Sequence, residues 1–276
     1  MEMFLYGFMQ RAFQASILIS LIAPVLGLFL ILRRQSLLAD TLSHVSLVGI
    51  ALGFLIGQNP TLMNMIVVVL AAMLLEYLRS LYRSYSEVSI AILMSGGMAL
   101  ALVMMTLTNN SDMMSIDTFL FGSIVTVSQS QVYLLLAITL TVLVLYLIFR
   151  KPMYILTFDE ETAYTLGLPV KLMSILFNVL TGITIAVIMP IMGALLVSAV
   201  LILPAAISMR LSKSFKGVIF IGILLGLVAT TGGLIFSYLY GTPPGATITL
   251  ILILVFALVS FCLLYTSDAA DERSSV

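Results

Sequence analysis

The sequence predicts an all-α polytopic membrane protein with eight or nine transmembrane helices, and three observations predict it. Of its 276 residues 62% are apolar, only 9% are charged, and the mean hydropathy is +1.22. Soluble domains sit near 45–50% apolar with about 25% charged residues, so this chain has too little polar surface to cover a soluble globule. Its apolar residues fall into runs long enough for helices to cross a hydrocarbon core about 30 Å thick. They are much longer than the roughly ten alternating residues of a barrel strand, which excludes a membrane β-barrel.

In chain order the runs are 13–32, 36–57, 62–78, 88–107, 132–149, 172–189, 194–209, 218–239 and 246–264. Basic residues gather at Arg33/Arg34, Arg79/Arg83, Arg150/Lys151, Lys171 and Arg210/Lys213/Lys216. Cytoplasmic loops favour Lys and Arg. Nine crossings, with the N-terminus outside and the C-terminus inside, put every cluster in the cytoplasm. The run 194–209 is short and carries Pro204; if it is broken or re-entrant, the count is eight. The first run is too long for a cleaved leader, so it is expected to remain as a span.

Two connections stand out. Residues 109–131 start polar and then read Phe119-Leu120-Phe121-Gly122, a pattern for a short interfacial helix on the outer side. Residues 157–171 lie on the cytoplasmic side. Their acidic run Asp159-Glu160-Glu161 suits a helix N-terminus, and Gly167 with Pro169 stops that helix. The result is a short cytoplasmic helix near 159–168, shaped either for docking a soluble partner or as a solvated loop.

Chain segment 1–264 reads as one transmembrane domain. Residues 265–276 break the composition: they are polar, and Leu264–Glu272 looks like a translated sequencing adapter, so that tail is expected to be non-native and without function. Twelve basic and twelve acidic residues cancel, which points to no nucleic-acid partner. One cysteine, Cys262, excludes a disulfide framework and a thiolate cluster.

Most charges sit at span ends, but Asp40 and His44 do not. From a helix start at Ser36, His44 lies eight residues in, about 12 Å at 1.5 Å per residue, and Asp40 one turn shallower. Their i,i+4 spacing puts both on one helix face. Ionisable groups at this depth are costly and should face the bundle interior or an aqueous cavity. A carboxylate oxygen and an imidazole nitrogen suit Zn²⁺, and also Mn²⁺ or Fe²⁺. Two ligands hold an ion loosely, as a transport path requires. The same spacing also fits an Asp–His pair that only ties helices together. His44 is the single histidine, so any histidine-dependent step must use it.

On the same helix Gly49, Gly53 and Gly57 form a small-residue stripe for close helix approach, and Gly222 and Gly226 form a second, packing-type pair. The seventeen methionines read as adaptable apolar filler. The chain has no Walker A loop, no H-E-x-x-H and no G-x-S-x-G.

The stretch 32–46, Leu-Arg-Arg-Gln-Ser-Leu-Leu-Ala-Asp-Thr-Leu-Ser-His-Val-Ser, resembles the signature of the ABC-3 family, permeases of bacterial zinc, manganese and iron importers. Leu120-Phe121-Gly122-Ser123, Gly193–Ser198, Leu203-Pro204-Ala205-Ala206 and Thr242-Pro243-Pro244-Gly245-Ala246 add to the resemblance, which spans roughly residues 4–262. Within the family, residues 150–160 look similar to the zinc permeases of streptococci and their relatives. The resemblance implies a homodimer of permeases in the bacterial plasma membrane, cytoplasmic ATPase subunits that bind ATP, and an extracytoplasmic metal-binding lipoprotein. It maps the metal path onto Asp40 and His44, and coupling to the ATPase onto Asp159, Glu160, Glu161 and Gly167. Zinc is the metal it implies, with manganese or iron as alternatives. A secondary metal transporter without an ATPase, or an intramembrane enzyme using the Asp–His pair, remains open from the residues themselves.

Overall fold

The computed structural model describes residues 6–81, 86–107, 116–123 and 127–274, with backbone only for 80–81, 86, 116–118 and 264–274. Arg83, residues 109–115 of the outer connection and the last two residues of the polar tail lie outside them, as do the tail's side chains.

Eleven helices are present among the described residues: α1 Gly7–Leu32, α2 Ser36–Ile56, α3 Pro60–Leu81, α4 Ser86–Leu107, α5 Ile116–Phe121, α6 Gln129–Phe158, α7 Glu160–Thr165, α8 Val170–Met192, α9 Val197–Leu211, α10 Phe215–Tyr240 and α11 Pro244–Ser274. Eight of them are long and apolar enough to cross a membrane, and α9 is the shorter apolar helix. The expected all-α polytopic bundle is what the chain forms.

The short α9 follows from its surroundings. Val197, Val200, Leu201, Ala205 and Ile207 are buried, and α9 packs among α1, α10, α11 and α2. Enclosed by protein, it need not match the hydrocarbon thickness. Its start is set by a tight crossing. Gly193 (φ +91°) breaks the chain after α8, and Gly122 (φ +77°) ends α5 against it. The amide of Ala194 donates to the Phe119 carbonyl (2.9 Å). A Cβ on Gly122 would come within 2.5 Å of the Ile191 carbonyl oxygen, and one on Gly193 would collide with the Leu120 carbonyl. Only glycine combines these left-handed torsions with this approach.

α1, α2 and α8 are mostly buried, whereas α4 and α11 are mostly exposed to what would be lipid. α2 is gripped by α3 and α4, with α8 and α9 behind it. The small-residue stripe explains the α3 contact: a Cβ on Gly49 would sit 2.5 Å from Asn64 Cα, and one on Gly53 2.6 Å from Pro60 Cα. Gly57 departs from the stripe and caps α2 in the left-handed conformation (φ 70°). Gly222 and Gly226 pack against Pro24 and Ser20 of α1.

α6 begins with a capping box. Ser128 Oγ accepts from the Gln131 amide (3.2 Å), and Gln131 Oε1 accepts from the Ser128 amide (2.9 Å). Thirty residues long, it extends about 45 Å, longer than a hydrocarbon core of about 30 Å. It carries α7 at its C-terminal end.

Candidate functional site

Starting at Ser36 as the sequence predicts, α2 keeps Asp40 and His44 one turn apart on one face. Leu37, Asp40 and His44 form a stripe that the rest of the chain leaves open or half-open, while Leu38, Ala39, Leu42, Ser43 and Val45 around it are buried. Neither Asp40 nor His44 hydrogen-bonds a neighbouring helix among the described residues, and His44 Nδ1 is buried with no partner. No group of three or more His, Cys, Asp or Glu side chains forms a metal cage among the described residues.

The tie between helices is made two residues further on. Ser46 Oγ donates to Asn64 Oδ1 (2.8 Å), and Asn64 Nδ2 donates to the Ala186 carbonyl (2.9 Å). This buried chain joins α2, α3 and α8 and holds the helix that carries His44. Sequence reading missed it because Asn64 is a lone polar residue in an apolar run. Its spacing below Gly49, where the backbones meet, was the available signal.

Around the α1–α2 turn a second polar cluster forms where sequence reading saw only positive-inside charge. Arg33 Nη2 donates to Ser174 Oγ (2.5 Å) and the guanidinium lies 5.4 Å from the Phe177 ring centre. Glu76 accepts from Asn178 Nδ2 (2.6 Å) and pairs with Arg79 (3.7 Å). Burial, and then the neighbouring Arg79, push the Arg33 pKa down to about 10, with Glu76 and Glu160 pulling against them. It stays charged at neutral pH. The cluster thus joins the base of α2 to α3 and α8, within the electrostatic reach of the acidic turn on α7.

α7 is where the sequence places it, as a six-residue helix. Asp159 is its N-cap: Oδ1 accepts from the Thr162 amide (2.9 Å), and the Thr162 hydroxyl donates to the other carboxylate oxygen. These bonds hold the exposed Asp159 carboxyl below its ordinary pKa. Glu160 and Glu161 occupy the first turn. Gly167 (φ 76°) closes the other end, with the Leu168 amide donating to the Ala163 carbonyl (3.1 Å). Ala163 is buried, which seats the helix, while Tyr164 and Leu166 are 77% and 61% exposed. The capped turn thus holds two large side chains out from the bundle, and the sequence pattern alone had stressed only the charges.

The pattern of the ABC 3 transport family matches residues 5–263. The chain belongs to the ABC 3 transport family. The manganese transport system membrane protein MntC of Halalkalibacterium halodurans is 30% identical over 256 residues, covering 93% of this chain and 87% of that protein. The manganese import system permease protein ScaB of Streptococcus gordonii is 31% identical over 258 residues, covering 93% and 91%. The solved structure of PsaBC from Streptococcus pneumoniae in complex with Fab aligns with a TM-score of 0.83 at 29% identity, covering 94% of this chain and 92% of that one. This family member is a multi-pass permease component of a divalent-metal importer in the bacterial plasma membrane.

The resemblance to zinc permeases is corrected by these comparisons, because the relatives named for a metal are manganese systems. The physical reason lies in where the zinc likeness sat. Residues 150–160 form the C-terminal end of α6 and the start of α7, far along the chain from Asp40 and His44. A carboxylate–imidazole pair itself accepts either metal.

Proposed function

We propose that this permease carries Mn²⁺, with Asp40 and His44 as ligands along its path. The observation that carries the reading is the half-open face of α2, which holds an ionisable pair at hydrocarbon depth with no helix partner. A carboxylate facing lipid is costly, so that face needs a cover, and a second copy of this chain in a homodimer supplies it. The cover brings two more ligands toward the same path. Hard oxygen with one imidazole suits Mn²⁺, and the only cysteine is exposed Cys262, distant in sequence from α2. Mn²⁺ binds such donors more weakly than Zn²⁺ does, which favours release over trapping. The manganese names of the relatives support the same cargo.

A metal-binding lipoprotein outside delivers the ion, and a cytoplasmic ATPase docks on α7 through Tyr164 and Leu166, with Asp159 and Gly167 fixing the turn and Glu160 and Glu161 presenting charge. ATP-driven movement of α7 reaches α2 through α8 and the Arg33 cluster. Proteoliposomes holding permease and ATPase, supplied with the loaded binding protein, test the reading. ATP-dependent ⁵⁴Mn uptake is expected, and His44→Ala abolishes it. Uptake of Zn²⁺ to the exclusion of Mn²⁺ would overturn the cargo, and wild-type Mn²⁺ uptake by His44→Ala would overturn the ligand.

A further inference from the structure

A cavity of about 360 Å³ lies between α1, α6 and α8, lined by Phe29, Val142, Met153, Leu172, Leu176, Ile183 and further apolar side chains. Apolar cavities of about 150 Å³ already hold a benzene-sized guest, and ligand pockets start at about 300 Å³. The cavity touches neither Asp40 nor His44, so the metal path does not account for it.

Its position specifies the guest. Along α6 the lining runs from Val142 to Met153 and along α8 from Leu172 to Ile183. Eleven residues of helix rise about 16 Å, close to half of a hydrocarbon core of about 30 Å. Both runs start at the basic, cytoplasmic ends of their helices, so the cavity spans one leaflet. Near that end Arg150 and Lys151 sit between the lining residues Phe149 and Pro152, and Lys171 between Pro169 and Leu172; all three are exposed and, among the described residues, without an ion-pair partner. The acidic turn at Asp159–Glu161 begins nine residues beyond Arg150, about 13 Å further into the cytoplasm along α6. The three cations therefore stand at headgroup depth, apart from the acidic coupling turn.

The geometry points to a seat for one anionic phospholipid of the cytoplasmic leaflet, its acyl chain in the cavity and its headgroup on Arg150, Lys151 and Lys171. The chain docks by apolar burial, and the cations select the phosphate-bearing lipid of net negative charge. A lipid held against α6 and α8 stiffens the two helices that flank α7.

The chain has no tryptophan, which makes the test direct. Leu176→Trp places the only indole on the cavity lining at a position 56% exposed, and Val228→Trp places one on α10, 70% exposed and away from the cavity. Full-length protein is put in phosphatidylcholine nanodiscs doped with acyl-brominated phosphatidylglycerol or acyl-brominated phosphatidylcholine, and fluorescence quenching is read. At Leu176→Trp, brominated phosphatidylglycerol is expected to reach half-quenching at a mole fraction lower by roughly ten-fold or more, given three cations at the surface. At Val228→Trp the two lipids should quench alike. Adding Arg150→Gln, Lys151→Gln and Lys171→Gln should remove the difference at Leu176→Trp. Equal quenching by both lipids at Leu176→Trp would reduce the cavity to ordinary lipid contact and overturn the proposal. Quenching at Val228→Trp but none at Leu176→Trp would mean that protein fills the cavity, a second copy included, and would overturn it too. A preference surviving the triple substitution would refute the headgroup contacts. Leu172→Trp, equally exposed on the same lining, replaces Leu176→Trp should that variant fail to assemble.

Discussion

Ser46 Oγ donates a 2.8 Å hydrogen bond to Asn64 Oδ1, and Asn64 passes the connection to the Ala186 carbonyl (2.9 Å). Three helices are pinned at a point two residues from His44. In lipid such bonds are worth about 0.6 kcal/mol on average and up to about 1.7 kcal/mol. Asn64→Leu should therefore lower stability by about 1 kcal/mol, read as a lower Tm in detergent. Gly49→Ala should cost more, since its Cβ meets the Asn64 backbone at 2.5 Å, where no side chain can rotate away. A Gly49→Ala protein as stable as wild type would show that the α2–α3 approach is looser than described.

Asp40→Asn keeps shape and removes charge. Mn²⁺ uptake is expected to fall at least ten-fold, with assembly on size-exclusion chromatography unchanged. A metal ligand must be an unprotonated imidazole, whose ordinary pKa is near 6.5. Uptake should weaken in acid and recover on return to neutral. Wild-type Mn²⁺ uptake by Asp40→Asn would remove the carboxylate from the path.

Arg33→Met should separate ATP hydrolysis from transport. The substitution removes a charged hydrogen bond to Ser174 and the contact with Phe177, costing about 2 kcal/mol. Basal ATPase activity of the assembled complex should persist, while its stimulation by metal-loaded binding protein falls several-fold. Because Arg33 is depressed to about 10 in the fold, the cost of burying its charge is fully present at neutral pH. It is relieved only as pH rises past that value.

Asp159→Ala should fray α7, because the cap bonds from Thr162 have no other acceptor there. Coupled transport is expected to drop while metal binding to the permease is retained, measured by equilibrium dialysis with ⁵⁴Mn. The sign of the pH effect follows from a carboxyl held below its ordinary value. Its contribution is fully present above the unfolded pKa of about 3.9 and is lost only as pH falls through the lower folded value. Mild acid should therefore leave α7 intact.

Some of this was legible in residue order. The apolar runs and the acidic turn before Gly167 marked the helices and α7, because desolvation and helix capping are local effects. The i,i+4 pair Asp40/His44 was legible for the same reason, since one helix sets that spacing. Run 194–209 was ambiguous because its length is judged against lipid, whereas α9 is enclosed by α1, α10 and α11. The Arg33 cluster was hidden because its partners Ser174 and Phe177 lie more than 140 positions away. The zinc assignment failed because its likeness sat in residues 150–160, far along the chain from Asp40 and His44, and a carboxylate–imidazole pair accepts either metal.

The sequence by itself determined that the chain lives in a bilayer and which helix carries an ionisable pair, since hydrophobic transfer and charge cost act on each segment separately. Only the tertiary structure decided that Asn64 and Arg33 brace that helix, that glycine backbones cross at Gly122 and Gly193, and that an apolar cavity opens beside α6 and α8. Those depend on which distant segments meet, and packing settles that only once all the helices are in place.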